Sequence, residues 1–318
     1  MDEPPAAPRP PTDLESGACP SLSAVDRPRA EEEAPTIDEA TPVDVRSVYR
    51  HTLPTRIGHW ITVLCLPILA LSGFQIFNAH PALYWGDRSD RDHPLFSLTA
   101  ISTPTGEIRG ITQLFGVEFD TTGVLGASKD GDTGLRERGF PHWATLPGSQ
   151  WLAMGRRWHF FFAWVFVLTG TGFGLYAFVS RHFTRDLLPL PRDLGTLGRS
   201  IRDHLRFRHP SAAATRYNVL QKIAYTGVVF ALGPLIVLTG LAMSPRFDAA
   251  IPVVVHVLGG RQSARTLHFL VTFAFIGFTV THLFMVAVTG VVNNLRSMVT
   301  GWHRLPDNGG MNGHVDSD

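Results

Sequence analysis

The sequence predicts an all-α membrane protein, a four-transmembrane-helix bundle with a long extracytoplasmic loop between helices 1 and 2. Three observations predict this class. Four stretches contain no Asp, Glu, Lys or Arg, and each exceeds the roughly 20 apolar residues that a bilayer-spanning helix needs. They also lack the polar face of a soluble helix, and a strongly basic segment joins the second to the third. The predicted spans are about residues 57–78, 158–180, 223–245 and 266–295.

Both ends of the chain are predicted to lie outside the bundle domain, which covers residues 46–304. Residues 1–45 are rich in proline and acidic residues and have few large apolar groups. Such a segment cannot bury enough surface to offset its chain entropy, so we expect a disordered tail. It has neither the basic start nor the apolar run of a secretory signal. Residues 305–318 are predicted to form a disordered C-terminal tail.

The distribution of basic residues predicts the topology. Residues 181–222 carry nine Lys or Arg against three Asp, which places this connection in the cytoplasm. With four spans, both termini are then cytoplasmic, and residues 79–157 form an outer loop with an irregular or partly strand-forming cap. Topology accounts for the basic surplus, so we expect no nucleic-acid partner. No internal repeat is evident, which disfavours a secondary transporter built from inverted halves.

Four histidines lie within the predicted spans, where ionisable side chains are costly and usually functional. They are His59, His159, His268 and His282. His268 and His282 are fourteen residues apart on span 4, which is about 21 Å along a helix and nearly the same face. Depth along the spans pairs His59 with His282 near the cytoplasm, and His159 with His268 near the outer surface.

Two level pairs of imidazoles on facing helices are what two stacked hemes with two histidine ligands each require. Catalytic zinc needs three protein ligands around one centre and structural zinc four, and di-iron sites need carboxylates, which these spans lack. Cys19 and Cys65 form no CxxCH motif, so any heme is held without thioether links. With both axial positions filled, electron transfer is the expected function. Five arginines lie at levels where heme propionates would emerge: Arg50, Arg56, Arg156, Arg157 and Arg265. Of these, Arg56 and Arg157 are the predicted propionate contacts.

Several short motifs resemble the bacterial cytochrome b561 and nickel-hydrogenase b-type cytochrome family, which includes membrane subunits of formate dehydrogenases. The motifs are residues 56–60 (RIGHW), residues 157–159 (RWH) and the spacing from His268 to His282. Residues 77–86 (FNAHPALYWG) are most similar to thiosulfate-reductase-type subunits, which partner molybdenum enzymes. The resemblance implies four histidine ligands to two hemes b, in a bacterial cytoplasmic membrane.

The resemblance also implies quinone exchange beside the cytoplasmic heme, where formate dehydrogenase subunits have an Asn-Ala-Gly-Gln segment. Residues 218–221 (NVLQ) keep the polar ends, Asn218 and Gln221, but lack the glycine. Both amides can donate hydrogen bonds to a quinone carbonyl without adding a charge. We therefore predict a quinone site at Asn218 and Gln221.

The predicted protein is a membrane-embedded di-heme cytochrome b that passes electrons between the quinone pool and a partner oxidoreductase. The resemblance implies a molybdopterin enzyme as this partner. The chain itself is expected to be an electron-transfer subunit rather than the catalytic subunit. Two alternatives stay open, a self-sufficient transmembrane heme reductase and a heme-free, His-lined membrane transporter.

Overall fold

The computed structural model describes residues 47–129, 134–148, 150–180, 195, 198, 202 and 219–305. In this part of the chain, four helices are long and apolar enough to cross a membrane, with mean hydropathies of 1.7 to 2.0 over their most apolar windows. They are α1 (Leu53–Phe77), α2 (Leu152–Val179), α3 (Val219–Ala242) and α6 (Arg261–Thr300). The four predicted spans therefore correspond to four helices. The predicted N-terminal tail, Asn218 and nearly all of the C-terminal tail lie outside the described residues.

Each of these helices begins four to six residues before the predicted span. The prediction began each span directly after a basic residue. In the structure these residues, Arg56, Arg157, Lys222 and Arg265, lie inside the first turns of the helices. Long basic side chains can extend along a helix so that the charged group reaches the membrane surface, and they do not end the helix. At its other end α6 continues past the predicted limit, through a non-helical residue at Gly290 (φ 105°, ψ 96°), to Thr300.

The third span has an irregular middle. An α-helical segment, Val219–Gly227, is followed by a π-helical segment, Val228–Leu232, and a second α-helical segment, Gly233–Ala242. A π segment accommodates one extra residue within a helix. Two short helices, α4 (Pro245–Ala250) and α5 (Pro252–Val257), connect α3 to α6.

The connection between α1 and α2 contains β-structure, so the all-α prediction was too narrow. Antiparallel strands β2 (Ala82–Leu83), β3 (Phe96–Ser102), β4 (Ile108–Leu114) and β5 (Val117–Asp120) form one sheet in that order. Strands β6 (Ala127–Lys129) and β7 (Leu135–Glu137) form a second pair. β-Branched and aromatic residues (Thr, Ile, Val and Phe) favour strands here, and turn glycines separate them. We call residues 78–148 the cap.

Phenylalanine rings join the cap to the helices. Phe77 of α1 and Phe269 of α6 have ring centroids 4.9 Å apart, and Phe96 of strand β3 lies 5.6 Å from Phe269. Phe140 of the cap stacks on Phe74 of α1 at 4.2 Å. Aromatic pairs at these separations add to the hydrophobic gain from burying their rings. The cap is therefore packed onto the ends of α1 and α6.

The start of α6 is held by the first loop of the cap. The carbonyl of Gly86 accepts hydrogen bonds from the amides of Gln262 (3.0 Å) and Ser263 (3.2 Å), which a helix start leaves without helical partners. The hydroxyl of Thr266 donates to the carbonyl of Tyr84 at 2.6 Å. Arg265 donates to the carbonyl of His80. These bonds fix the rotation of α6 just before His268.

The two ends of the described bundle domain meet at the opposite end of the bundle. Strand β1 (Ser47–Tyr49) pairs antiparallel with strand β8 (Trp302–Arg304). The indole of Trp60 donates to the carbonyl of Met298 at 3.1 Å, and Arg56 donates to the carbonyl of Val299. An even number of spans brings both ends of the bundle domain to the same side.

Candidate functional site

The structure brings the four predicted histidines together in two pairs. The rings of His159 (α2) and His268 (α6) have centroids 6.3 Å apart at an interplanar angle of 64°. The rings of His59 (α1) and His282 (α6) are also 6.3 Å apart, at 62°. After the predicted topology, we call the first the outer pair and the second the inner pair. Their role as heme ligands stays a prediction.

The outer pair is held by hydrogen bonds from the neighbouring helices. Nδ1 of His159 lies 3.1 Å from the carbonyl oxygen of Leu69 and 3.2 Å from the hydroxyl of Ser72, both on α1. Because a carbonyl can only accept, Nδ1 carries the hydrogen, which leaves Nε2 with a free lone pair. Metal-binding histidines are typically oriented by such a bond from the other ring nitrogen.

The same arrangement holds His268. Its Nδ1 lies 3.1 Å from the carbonyl oxygen of Ile236 and 3.1 Å from the hydroxyl of Thr239, both on α3. Ser72 and Thr239 are fully buried, at 0% exposure. Each hydroxyl also donates to carbonyls one turn earlier in its own helix, so its lone pairs are free to accept from the imidazole.

A glycine follows each of these hydroxyl residues and lets the ring approach the helix. A Cβ atom at Gly73 would lie 3.4 Å from Cε1 of His159, and one at Gly240 would lie 3.2 Å from Cε1 of His268. By contrast, a Cβ atom at Gly170, Gly172 or Gly277 would have no atom within 4 Å. Gly73 and Gly240 thus lie directly against the histidine rings of the outer pair.

The inner pair is held differently. Among the described residues, Nδ1 of His59 is buried and has no hydrogen-bond partner. His282 stacks on Phe278, one turn earlier on α6, at 5.8 Å and 16°. His59 packs edge-on against Trp60 at 5.4 Å. Ring packing, and not a carbonyl hydrogen bond, is what orients this pair in the described contacts.

The ring separation in both pairs matches one metal ion bound between two imidazoles. Bonds from an imidazole nitrogen to zinc are about 2.0 Å long, and bonds to iron are taken as similar. Because a ring nitrogen lies about 1.1 Å from the centroid of its ring, the centroids of two imidazoles that bind one ion from opposite sides are about 6.2 Å apart. In the described part of the chain, no group of three or more His, Cys, Asp or Glu converges as a zinc site would require. The arrangement suits an ion whose other ligands come from a flat macrocycle.

Of the remaining predicted residues, Arg56 and Arg157 lie one turn and half a turn before His59 and His159. Arg56 is partly buried, and its Nε is buried without a partner among the described residues, whereas Arg157 is exposed. Gln221 lies in the first turn of α3, and Asn218 falls outside the described residues. The roles of Arg56, Arg157 and Gln221 stay predictions, and the Asn218 prediction lies outside the described residues.

Burial and neighbouring arginines lower the pKa of three histidines near the ends of the bundle. Burial, with the nearby positive charge of Arg50, lowers the pKa of His51 from 6.5 to about 4. Burial also lowers the pKa of His303, and Arg50 adds to this effect. At the cap, burial followed by the charge of Arg265 lowers the pKa of His80. All three side chains lie next to the ends of the bundle. Since their pKa values are lowered, the positive charge there comes mainly from the arginines.

The two helix pairs turn out to be copies of one pattern, which corrects the expectation of no internal repeat. Residues 67–73 of α1 (PILALSG) correspond to residues 234–240 of α3 (PLIVLTG). Residues 156–160 of α2 (RRWHF) correspond to residues 265–269 of α6 (RTLHF). The hydrogen bonds to His159 and His268 come from matching positions of these segments.

The repeat extends to the other end of the first and third spans. Residues 56–59 (RIGH) correspond to residues 222–225 (KIAY), with Tyr225 in the position of His59. The third span has one more residue before its proline than the first, and its π segment, Val228–Leu232, accommodates that residue. This one-residue shift and the unequal connections hide the repeat in the sequence, and the recurring Pro-x-x-x-Leu-Ser/Thr-Gly signal could have revealed it.

Corresponding residues of the two repeats touch each other between α2 and α6. His159 contacts His268, and seven residues further along both helices Phe166 contacts Phe275, with ring centroids 6.4 Å apart. Residues related by a two-fold axis can meet their own counterparts only at that axis. An approximate two-fold axis therefore passes through the outer pair and along the bundle. The inner pair lies off this axis.

Comparisons with known proteins agree with this architecture. A family model described as prokaryotic cytochrome b561 matches residues 50–301. A curated relative from Azospira oryzae, named a putative protein-methionine-sulfoxide reductase subunit YedZ1, is 25% identical over 248 residues, which cover 77% of this chain and 93% of the relative. No solved structure matches. The match spans all four helices and both histidine pairs, and the chain belongs to the prokaryotic cytochrome b561 family of membrane-embedded, heme b-binding electron-transfer proteins.

Proposed function

We propose that this protein is a di-heme cytochrome b that carries electrons through the lipid bilayer between quinone and a partner oxidoreductase. The observation that carries the proposal is the pair of equal ring separations, 6.3 Å at two levels of the bundle. Each pair can hold one heme iron by both axial positions, with His159 and His268 at the outer heme and His59 and His282 at the inner heme. Heme supplies reversible one-electron chemistry at its iron.

The protein residues decide which chemistry this site excludes. A heme iron held by both histidines of a pair would have no position left for oxygen or for a substrate. His268 and His282 are fourteen residues apart on one helix, so the two sites are about 21 Å apart along the axis. Between these two levels, the four spanning helices contain no Asp, Glu, Lys or Arg. This arrangement favours electron transfer across the membrane over catalysis within it.

The proposal also assigns residues to a quinone site and to the heme propionates. Gln221 lies in the first turn of α3, at the end of the bundle that carries the inner pair, and Asn218 comes three residues earlier in the sequence. Their amides supply hydrogen-bond donors for a quinone carbonyl. Arg56, one turn before His59 and with a buried Nε, is proposed to contact an inner-heme propionate. Arg157 is the corresponding proposal from the sequence for the outer heme.

The partner and the orientation follow from different observations. The basic connection between α2 and α3 supports a bacterial cytoplasmic membrane location with both termini in the cytoplasm and the cap outside. The Azospira oryzae relative is named as a reductase subunit, which supports a reductase as the partner of this chain. A molybdopterin enzyme is proposed from the motif in residues 77–86. Membership of a cytochrome family disfavours the heme-free transporter, while a self-sufficient reductase remains the alternative.

The first prediction concerns the ligand pairs. His159→Ala and His268→Ala should each remove the same component of the reduced-minus-oxidised spectrum, because loss of either axial ligand frees one heme. His59→Ala and His282→Ala should each remove the other component. Purified full-length variants would be compared at equal protein concentration, with His93→Ala in the exposed cap loop as the control. If His59→Ala and His268→Ala removed the same spectral component, the assignment of the pairs would be refuted.

The second prediction concerns the glycines against the outer rings. Gly73→Val and Gly240→Val should lower outer-heme content strongly, because the new side chain meets Cε1 of a histidine that a Cβ already approaches within 3.4 and 3.2 Å. Gly172→Val introduces the same residue where a Cβ has no neighbour within 4 Å, so its heme content should be unchanged. Heme per protein, resolved by spectral component, is the measurement. Equal heme contents in all three variants would contradict the close-approach argument.

The third prediction concerns the quinone site. Combined Asn218→Ala and Gln221→Ala substitution should slow reoxidation of the reduced hemes by a quinone analogue at least several-fold, with an unchanged heme spectrum. Stopped-flow absorbance measures this rate. Gln262→Ala, an amide at the opposite end of the bundle, is the control. A normal rate in the double variant would remove the quinone site and leave the heme proposal standing.

A further inference from the structure

Two arginines occupy matching positions in the two repeats. Arg156 lies three residues before His159 on α2, and Arg265 lies three residues before His268 on α6. Each is therefore one helical turn outward from an outer-pair histidine. Among the residues that the structure describes, neither guanidinium forms an ion pair with a carboxylate. The two arginines thus match in sequence position. Arg156 is exposed and lies over the ring of Phe160, with Cζ 5.7 Å from the ring centroid, whereas Arg265 is partly buried.

Any group clamped between His159 and His268 lies on that axis and meets the same surroundings from both repeats. Heme has an approximate two-fold axis of its own, which runs through the iron and between the two propionates. If the two axes coincided, the propionates would point along the bundle, either outward or inward. The inward direction is closed by the apolar contact of Phe166 with Phe275, whereas the outward direction leads to the two arginines.

Room for a carboxylate exists beside Arg265. A cavity of about 190 Å³ is lined by Met243, Arg261, Gln262 and Arg265. Arg265 is held at its rim, since it donates to the carbonyl of His80 and lies over the ring of Phe77, with Cζ 5.5 Å from the ring centroid. A guanidinium with remaining N–H groups next to a cavity is suited to a carboxylate, which it can bind with two parallel hydrogen bonds.

From the repeat, the axis and the cavity together, we propose that Arg156 and Arg265 bind the two propionates of the outer heme, one from each repeat. This inference rests on the proposed outer heme. It differs from the sequence prediction, which assigned Arg157. In the repeat, Arg156 corresponds to Arg265, and Arg157 corresponds to Thr266. The hydroxyl of Thr266 donates a hydrogen bond to the carbonyl of Tyr84 at 2.6 Å.

The test measures the midpoint potential of the spectral component that is lost in His159→Ala. A nearby positive charge disfavours the oxidised, more positive iron. Arg156→Gln and Arg265→Gln should therefore each shift this potential downward and change the propionate bending modes in the resonance Raman spectrum. Arg156→Lys should restore the potential in part, because it keeps the charge but not the two-bond geometry. The potential of the other component should not move.

Arg157→Gln tests the sequence prediction directly, and the present proposal expects it to leave the potential and the propionate modes unchanged. Arg109→Gln, at an exposed position on strand β4 of the cap, is the neutral control. A response to Arg157→Gln without one to Arg156→Gln would overturn the proposal, as would a response to Arg265→Gln alone. Because Arg265 also supports the cap, Arg156→Gln decides the question if Arg265→Gln does not fold. If the wild-type protein contains no outer heme, the proposed function fails. If it contains that heme and Arg156→Gln has no effect, only this inference fails.

Discussion

The structure depends on the hydrogen bond that each outer-pair imidazole makes to a backbone carbonyl of the neighbouring helix. Inside a membrane an unpaired N–H group is costly, so a histidine offers one ring nitrogen to a metal at the lowest cost when the other is satisfied, as it is in the outer pair. Leu69 and Ile236 supply that acceptor, and buried Ser72 and Thr239 add a second one. Glycine at the next position removes the side chain that would keep the ring away. Residues 69–73 and 236–240 thereby fix ring position, tautomer and helix spacing at once.

The approximate symmetry explains why the two sites differ. The outer pair lies on the axis and takes one histidine from each repeat. The inner pair lies off the axis, so the repeat offers a second inner position, but that position has Tyr225 where the first span has His59. On α2, Phe173 takes the place that His282 has on α6. The duplicated bundle therefore presents two histidine pairs and not three. The cap belongs to the first repeat alone, and through Phe77, Phe96 and Phe269 it holds the start of α6 in position over the outer pair.

Much of this arrangement follows from the sequence, because long charge-free stretches and histidines at membrane depth are strong physical signals. The four spans and the association of His59 with His282 and of His159 with His268 could be predicted from them. The starts of the helices could not be predicted in this way, because Arg56 and Arg157 lie inside the first turns of α1 and α2 and do not mark their beginnings. The strands of the cap give short and weak patterns, and their order depends on contacts with the helices. The repeat was missed because the π segment, Val228–Leu232, shifts its register by one residue. Ser72 and Thr239 read as ordinary small polar residues until their contacts with the rings are known.

The central claim is that each histidine pair holds one heme b with both axial positions filled. Pyridine hemochrome analysis of the purified full-length protein, combined with accurate protein quantification, tests it most directly. The account predicts two hemes b per chain, both low-spin as expected for iron with two imidazole ligands. A ratio near one would mean that only one of the two pairs binds heme, and a ratio near zero would contradict the account.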